Sequence, residues 1–205
     1  MRRRRTLIFL VTALAALAAI AAATAPSAEG GLIGTGTASG CDTATSRPFQ
    51  AWGDSANYLL MPGGSFEHGA PAWTLTNGAA TTPGNEPFKT EGNGSRSLYL
   101  PSGSSALSPT GCFEFGDWHS RFFVRGDGRG RLEVDVVVKS LLGVLTLLDG
   151  GSVTASSEWR PSPRIGMLVC NVTGLLGTKA VSLRFRAVNG SFQVDDVYLD
   201  PWKSF

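Results

Sequence analysis

Two segments of this chain alternate apolar and polar residues with a period of two. In RLEVDVVVK (residues 131–139), every second residue is Leu or Val, and most residues between them are charged. AVSLRFRAV (residues 180–188) repeats the pattern, with Val181, Leu183 and Phe185 on one side. A period of two indicates a half-buried antiparallel strand, because successive side chains of a strand point to opposite faces. These segments therefore predict antiparallel sheets with one apolar face.

Further short strand patterns follow one another along the chain, separated by turns that contain Gly and Pro. They are AWTLT (72–76), SLYL (97–100), SRFFVRG (120–126), GVLTLL (143–148) and SFQVDDVYL (191–199). The segments GDGRG (126–130) and LLDGGS (147–152) contain the turn residues that predict hairpins. After the first 25 residues no segment has a convincing helical period. We therefore predict an all-β fold, an antiparallel β-sandwich of the jelly-roll type.

Residues 1–25 have the layout of a secretory signal peptide. Four arginines are followed by a run rich in Ala and Leu and then by small residues, with cleavage expected between Ala23 and Ala28. The alternative is an uncleaved membrane anchor, since the apolar run is close to the roughly 20 residues that a spanning helix needs. We favour cleavage and expect a secreted, extracellular protein, free or associated with the cell envelope, without stable membrane insertion.

Removal of the signal peptide changes the charge of the chain and sets the domain boundaries. The chain has 18 Lys and Arg and 16 Asp and Glu residues, and four of the arginines are lost with the signal peptide, so the net charge falls from +2 to −2. Because no basic cluster remains, a nucleic-acid partner is not expected. Residues 26–47 are rich in Gly, Ser and Thr and predict a flexible lead-in. Residues 48–205 suffice for one β-sandwich domain with a substantial core.

Three cysteines lie in the predicted exported chain: Cys41, Cys112 and Cys170. An oxidising compartment favours one disulfide and one remaining cysteine. We predict the pair Cys41–Cys112, which would tie the lead-in to the domain. Cys170 follows an apolar run and is expected to be a small buried side chain. The sequence leaves the other pairings open.

Both ends of the predicted domain resemble a known family. MPGGSFEHGAPAWTLTNGAA (61–80) is similar to the opening of carbohydrate-binding modules with the galactose-binding-like jelly-roll fold, and SFQVDDVYLDP (191–201) is similar to their closing strand. The segment PFQAWGDSANY (48–58) also resembles the start of a group of small secreted actinobacterial proteins, which implies no activity. The family resemblance implies that the first and last strands are neighbours, that Trp73 is a core residue, and that a structural Ca²⁺ lies between those strands.

The adjacent aspartates Asp195 and Asp196 are the candidate metal ligands. Two neighbouring carboxylates repel each other, and at least one should face the apolar side of its sheet; a bound Ca²⁺ would offset both costs. By position in the family pattern, Glu67 and one of the two aspartates are the implied ligands, with main-chain carbonyls near Gly64 and Asn93. The alternative is that the aspartates lie at an edge or bulge, one in solvent and one capping backbone amides.

The candidate glycan ligands surround an aromatic residue in an apparent loop. A sugar needs a ring against its C–H face and polar side chains for its hydroxyls. Trp118 lies between Asp117 and His119, and we predict these three residues, with Tyr99 as a further aromatic, as the binding site. The alternative is that Trp118 packs against the protein. The chain has no hydrolase, zinc-protease or C-x-x-C motif.

Glu133 and Asp135 share one strand face, on which we expect ion pairs with Arg184 and Arg186 rather than catalytic acids. The sequence therefore predicts a secreted, non-catalytic, glycan-binding β-sandwich with a structural Ca²⁺. The main alternative is an extracellular or cell-envelope domain that makes structural or protein contacts. A more distant alternative is a polysaccharide hydrolase or lyase on the same scaffold.

Overall fold

Two antiparallel β-sheets pack face to face across an apolar core. The computed structural model describes residues 44–113, 119–139, 145–167 and 179–200. Within these ranges one sheet has eight strands and the other six, and the helical content is a single 3-10 turn at Gln50–Trp52. None of the described helical segments could cross a membrane. The prediction of an all-β antiparallel sandwich is confirmed.

The described strands, in chain order, are β1 (Thr45–Ser46), β2 (Tyr58–Leu60), β3 (Thr74–Thr76), β4 (Ala80–Pro83), β5 (Arg96–Leu100), β6 (Ser105–Leu107), β7 (Gly111–Phe113), β8 (His119–Gly126), β9 (Arg131–Lys139), β10 (Leu145–Val153), β11 (Arg160–Pro161), β12 (Ile165–Gly166), β13 (Lys179–Val188) and β14 (Phe192–Leu199). The first sheet contains β1, β2, β4, β5, β8, β11, β12 and β14; the second contains β3, β6, β7, β9, β10 and β13.

Strand β14 lies at the centre of the first sheet. It pairs with β8 on one side, and with β5 and then β2 on the other. Beyond β2, the main-chain N–H of Met61 donates to Val197 O at 2.8 Å, and the N–H of Val197 donates to Gly64 O at 3.1 Å. The prediction that the start and the end of the domain lie side by side is therefore confirmed.

The main core lies between the sheets and follows the predicted alternation. Its buried members in β9 and β13 are Leu132, Val134, Val136, Val181, Leu183, Phe185 and Ala187. Trp73, 6% exposed, also belongs to it, as predicted. On the opposite face of the same strands, Arg184 Nη2 is 2.9 Å and Arg186 Nε 3.1 Å from Asp135 Oδ2, and Arg186 also pairs with Glu133. The expected cross-strand ion pairs are confirmed.

Both predicted hairpins are wrong. The segment GDGRG does turn, but it joins β8 to β9, which belong to different sheets. The segment LLDGGS lies inside β10, where the register shifts between Asp149 and Gly151. Gly151 has a φ of 124°, a conformation that glycine adopts without steric cost. A β-bulge therefore takes the place of the expected turn.

A second apolar cluster covers part of the outer face of the first sheet. It consists of Phe49, Ala56, Tyr58, Phe123 and Tyr198. Phe123 and Tyr198 lie between residues of the main core in β8 and β14, so alternation turns them outward. The segment before β2 therefore packs on one half of this face. The other half, around the start of β14, carries the candidate site.

Candidate functional site

Three side chains form a row across neighbouring strands of the first sheet. Gln193 of β14 pairs directly with Tyr99 of β5 on one side and with Arg125 of β8 on the other. Their neighbours Leu98 and Val194 belong to the main core. Because side chains alternate along a strand, the row Tyr99–Gln193–Arg125 projects from the outer face of the sheet.

The row forms the floor of a cleft of about 240 Å³. The cleft is lined by Tyr99, Arg125, Gly126, Asp127, Ser157, Ser191, Phe192 and Gln193. The side chain of Tyr99 is 37% exposed, one of three large apolar residues in the described chain that remain exposed to this degree. The cleft therefore offers an accessible ring beside hydroxyl, amide, guanidinium and carboxylate groups.

Arg125 is held in place by its neighbours on both sides. Its Nε donates a hydrogen bond to Gln193 Oε1. Its guanidinium carbon lies 5.2 Å from the centroid of the Trp159 ring, within the range of a cation–π contact. Since Arg125 occupies the Gln193 oxygen, the amide nitrogen of Gln193 is left to donate towards the cleft. These contacts fix the guanidinium and the amide before any ligand binds.

Asp127, at the rim of the cleft, is bonded to main-chain groups. Its Oδ2 accepts hydrogen bonds from the N–H and the hydroxyl of Ser191, each at 3.0 Å, and its Oδ1 accepts the N–H of Arg129 at 2.9 Å. The hydrogen bonds from the Ser191 and Arg129 amides lower the pKa of Asp127. Its carboxylate therefore holds the β8–β9 connection in place.

Of the predicted glycan ligands, Tyr99 lines the cleft and His119 does not. His119 is 8% exposed, and its Nε2 lies 2.7 Å from the Tyr58 hydroxyl and 3.3 Å from Asp200 Oδ2. Burial, with the nearby Arg164 guanidinium acting in the same direction, lowers the pKa of His119 to about 4. In the described structure His119 makes internal hydrogen bonds. Its neighbours in the sequence do not indicate this role.

Other predicted residues lie outside the described part of the chain. Trp118 and Asp117 belong to this group, and so does Cys41. Cys112 lies in β7, but its side chain is not described. The Trp118 platform and the Cys41–Cys112 disulfide therefore stay predictions, as do the signal peptide and the lead-in up to residue 43.

The two adjacent aspartates lie at a β-bulge beneath the loop that follows β4. The β14–β8 register shifts after Asp195, and Asp196 has a φ of 44°. Asp195 accepts the N–H of Glu86 at 3.0 Å and the N–H of Asp196 at 3.0 Å, and the Thr90 hydroxyl donates to Asp196 at 2.6 Å. Both aspartates are buried. The pair therefore lies at a bulge and Asp195 accepts main-chain amides, but neither residue is in solvent.

Burial and crowding raise the pKa values of both aspartates. Burial and the charge of Asp196 raise the pKa of Asp195 to about 8. Burial, together with the carboxylates of Glu86 and Glu91, raises the pKa of Asp196 to about 7. The acidic neighbours of this pair therefore come from the loop after β4, which the sequence pattern did not indicate.

Glu67 has different partners from those predicted. Its carboxylate accepts the N–H of Ser95 and the N–H of Arg96, each at 2.9 Å, and the Ser95 hydroxyl at 3.1 Å. These hydrogen bonds outweigh burial and lower the pKa of Glu67. Neither Asp195 nor Asp196 is among its described hydrogen-bond partners. Through these hydrogen bonds Glu67 fixes the loop before β5.

Among the predicted metal ligands, the aspartate pair has the donors that suit Ca²⁺. Asp195 and Asp196 offer buried, crowded carboxylate oxygens, which is the donor chemistry that Ca²⁺ prefers. Ser97 precedes Leu98, the β5 partner of Val194, and has a buried hydroxyl with no hydrogen-bond partner among the described residues. Glu67 does not fit, since its oxygens already accept four hydrogen bonds. Across the described ranges, no three His, Cys, Asp or Glu side chains form a group that could hold a metal.

Comparison with known proteins gives matches among solved structures only. No family model matches the sequence, and no curated protein matches it significantly. The tandem pair of family 22 carbohydrate-binding modules of Paenibacillus barcinonensis Xyn10C aligns with 73% of this chain and 46% of its own, with a TM-score of 0.51 and 14% identity. The chain has the β-sandwich fold of these carbohydrate-binding modules. It spans just under half of the tandem pair.

Two further structures align with lower TM-scores. The family 22 and catalytic modules of Clostridium thermocellum endo-1,4-beta-D-xylanase 10B, complexed with xylohexaose, match over 67% of this chain and 27% of theirs (TM-score 0.49, 17% identity). The family 11 carbohydrate-binding module of the same organism, complexed with a beta-1,3-1,4-mixed-linked tetrasaccharide, matches over 72% and 98% (TM-score 0.44, 17% identity).

Of the row Tyr99–Gln193–Arg125, the sequence analysis missed Gln193 and Arg125. Each lies in a correctly predicted strand, and alternation could have assigned it to the face opposite its apolar neighbours. What the sequence does not contain is the register that sets Gln193 between Tyr99 and Arg125. The row can therefore be identified only from the pairing of the three strands.

Proposed function

We propose that this protein binds glycans through the cleft over the row Tyr99–Gln193–Arg125. The observation that carries the proposal is the row itself: an exposed ring, an amide and a guanidinium side by side on three neighbouring strands. Pyranose rings present C–H groups that pack on aromatic faces and hydroxyls that need directional partners. The fold shared with carbohydrate-binding modules supports the architecture, and the cleft chemistry supports the ligand class.

The cleft also supports a non-catalytic role. Hydrolysis of a glycosidic bond generally requires two carboxyl groups on opposite sides of the bond. Asp127 is the single carboxylate among the described residues that line the cleft, and its oxygens bond to Ser191 and Arg129. We therefore propose a binding protein that is exported by its signal peptide. Release of reducing ends from polysaccharides would contradict this part of the proposal.

Substitution of Tyr99 tests the proposed function. Tyr99→Ala removes the ring from the cleft, and we expect the affinity for the best glycan on an array to fall by about tenfold or more. Isothermal titration with that glycan measures the change. Phe88→Ala is the matched control, because Phe88 is similarly exposed but does not line the cleft, and its affinity should equal that of the wild type. Trp118→Ala tests the predicted second ring in the same assay.

Two results would contradict the proposal. The first is a protein that binds no glycan on a broad array. The second is a Tyr99→Ala variant that binds as tightly as the wild type. Both would favour the alternative of a protein-interaction domain, for which the exposed pair Trp52 and Phe88 is the supporting observation. Their rings are 4.7 Å apart, and both pack against Phe123.

We propose separately that a structural Ca²⁺ binds at Asp195 and Asp196. The two carboxylates would supply hard oxygen ligands, and the cation would neutralise part of their repulsion.

At a Ca²⁺ concentration of 100 times its Kd, the folded state would gain about 2.7 kcal/mol. For a domain of this size we expect a Tm about 5–10 °C higher in CaCl₂ than in EDTA, measured by calorimetry. Asp195→Asn should abolish the difference, and Asp149→Asn, at an exposed site, should preserve it. Equal melting temperatures for the wild type would refute the metal.

A further inference from the structure

Arg125 differs from the other buried and half-buried arginines of the described chain, because it has no acidic partner. Arg121 pairs with Asp54, and Arg184 and Arg186 pair with Asp135. In the remaining half-buried arginine, Arg96, Nη2 donates to the Thr81 hydroxyl and carbonyl, and the charge interacts with Glu67. None of the described Asp or Glu side chains forms an ion pair with Arg125, whose Nε donates to a neutral amide.

The unpaired charge lies in the floor of the cleft. A guanidinium group has five N–H donors in one plane, and it cannot lose its charge at physiological pH. In Arg125 the Nε donor is used by Gln193, and no described protein atom accepts a hydrogen bond from either terminal nitrogen. Trp159 stacks on the guanidinium and removes part of its hydration. The structure therefore keeps a partly desolvated cation with free, coplanar donors in an open site.

We propose that the ligand of the cleft is an acidic glycan whose sugar carboxylate binds the terminal nitrogens of Arg125. This inference rests on the proposed function and specifies its ligand class. Two parallel N–H donors match the two oxygens of a carboxylate, and this bidentate geometry is stronger than a bond to a neutral hydroxyl. The ring of Tyr99, across Gln193, lies where it can pack on the same sugar or on the next one in the chain. The amide nitrogen of Gln193 is placed to donate to a hydroxyl between them.

The carboxylate of Asp127 does not take the place of this ligand. It also lines the cleft, but its oxygens accept three hydrogen bonds from Ser191 and Arg129. It therefore stabilises a main-chain turn and leaves the terminal nitrogens of Arg125 free. A cleft of about 240 Å³ is smaller than the roughly 300–1,000 Å³ of sites for drug-sized ligands. It fits one acidic sugar of a longer chain that continues outside the cleft.

The experiment compares each acidic polysaccharide with its own uncharged form. Polygalacturonate, alginate and hyaluronan are titrated by calorimetry beside preparations of the same polymers in which the carboxyl groups have been reduced to alcohols. We expect at least one polymer to bind and its reduced form to bind about tenfold more weakly or worse. Binding of the acidic form should weaken as salt concentration rises, because a partly exposed ion pair is screened.

Variants separate a local contact from general charge. Arg125→Gln should reduce binding of the acidic polymer to the level of its reduced form, and Arg125→Lys, which keeps the charge but not the planar fork, should lie between them. Arg129→Gln is the control, since it removes the same charge from an exposed arginine four residues away and should bind as the wild type does. Melting temperatures confirm that each variant is folded.

The possible failures are distinguishable. Equal affinity for the acidic and reduced polymers, or unchanged binding by Arg125→Gln, would overturn the acidic-glycan inference and leave glycan binding in place. An equal loss in Arg125→Gln and Arg129→Gln would show general electrostatic attraction and also overturn it. Binding of dextran sulfate as tight as that of the best uronate polymer would overturn the carboxylate as the recognised group. Binding to no acidic or neutral glycan at all would overturn the proposed function itself.

Discussion

Replacing Asp54 with alanine is expected to lower the free energy of unfolding by about 3–5 kcal/mol. Asp54 is 4% exposed. Its carboxylate lies 2.7 Å from Arg121 Nη1, 2.8 Å from Arg164 Nη2 and 2.7 Å from the Tyr58 hydroxyl. Burial acts to raise the pKa of Asp54, but the hydrogen bonds from Arg164, Tyr58 and Arg121 outweigh it and hold the pKa well below its usual range. The carboxylate is therefore ionised and fully used in the folded state.

The cost arises from what the substitution leaves behind. Without Asp54, the buried guanidinium of Arg121 would keep, among the described residues, the Ser162 carbonyl and the Phe49 ring as partners. Removing one partner leaves a buried charge without its counter-ion, and this costs far more free energy than replacing both partners of the pair. Asp54 also joins the segment before β2 to β8, so its loss should loosen the apolar cluster on the outer face of the first sheet.

A surface ion pair provides the matched control for this prediction. Arg160 Nη2 and Glu158 Oε2 are also 2.7 Å apart, but their side chains are 71% and 70% exposed. Glu158→Ala should therefore change stability by no more than about 1 kcal/mol. Urea denaturation of both variants at pH 7 measures the two effects. If Asp54→Ala lowers the free energy of unfolding as little as Glu158→Ala does, the buried hydrogen-bond network around Asp54 does not stabilise the fold.

Strands β9 and β13 of the second sheet were predictable because they have one charged and one apolar face. In β9 and β13 this contrast produces the alternation from which the buried positions and the ion pairs follow. In β8 and β14 the alternation of apolar and polar residues is weaker, because Phe123 and Tyr198 on the outer face are buried as well. The segment before β2 covers them. The bulge at Asp196 then shifts the register of β14. A bulge depends on tertiary packing, and the flanking residues do not encode it.

The candidate site was only partly predictable because it depends on pairing across long sequence separations. Gln193 lies 68 residues from Arg125, and their alignment follows from packing of the whole sheet. The position of Glu86 beside Asp195 and Asp196 was unpredictable for the same reason. Its carboxylate accepts main-chain N–H groups of Lys89 and Thr90, as many turn acids do, so its proximity to Asp195 has no local pattern. Tyr99, named from the sequence, lines the cleft, whereas the described hydrogen-bond partners of Glu67 are Ser95 and Arg96.

The pH dependence of stability should show a contribution of about 3 kcal/mol from His119. The folded pKa is about 4, and the unfolded value is about 6.5. Between these values the unfolded chain binds a proton that the folded protein excludes. Since the unfolded state then binds more protons, the free energy of unfolding falls as the pH is lowered from about 6.5 to about 4, by about 1.4 kcal/mol per pH unit. Below pH 4 both states are protonated and the contribution is constant.

The hydrogen-bond network explains why His119 stays neutral when folded. Tyr58 has a single hydroxyl proton, which it donates to the ionised Asp54 at 2.7 Å. The Nε2–H of His119 therefore donates to the Tyr58 oxygen, and this needs no positive charge. Burial opposes protonation most strongly, the guanidinium groups of Arg164 and Arg121 add to it, and the carboxylate of Asp54 acts against it. Because burial dominates, the neutral imidazole is the folded form at neutral pH.

A comparison of variants isolates this contribution from the other titrating groups. The raised pKa values of Asp195 and Asp196 act in the opposite direction, since the folded protein holds protons there that the unfolded chain releases. The quantity to measure is therefore the difference between wild type and His119→Gln in urea unfolding from pH 7.5 to 4. That difference should change by about 3 kcal/mol across the range, and His68→Gln, at an exposed histidine, is measured as the matched control. Parallel profiles for wild type and His119→Gln would mean that the imidazole titrates equally in both states and would contradict the effect of burial on His119.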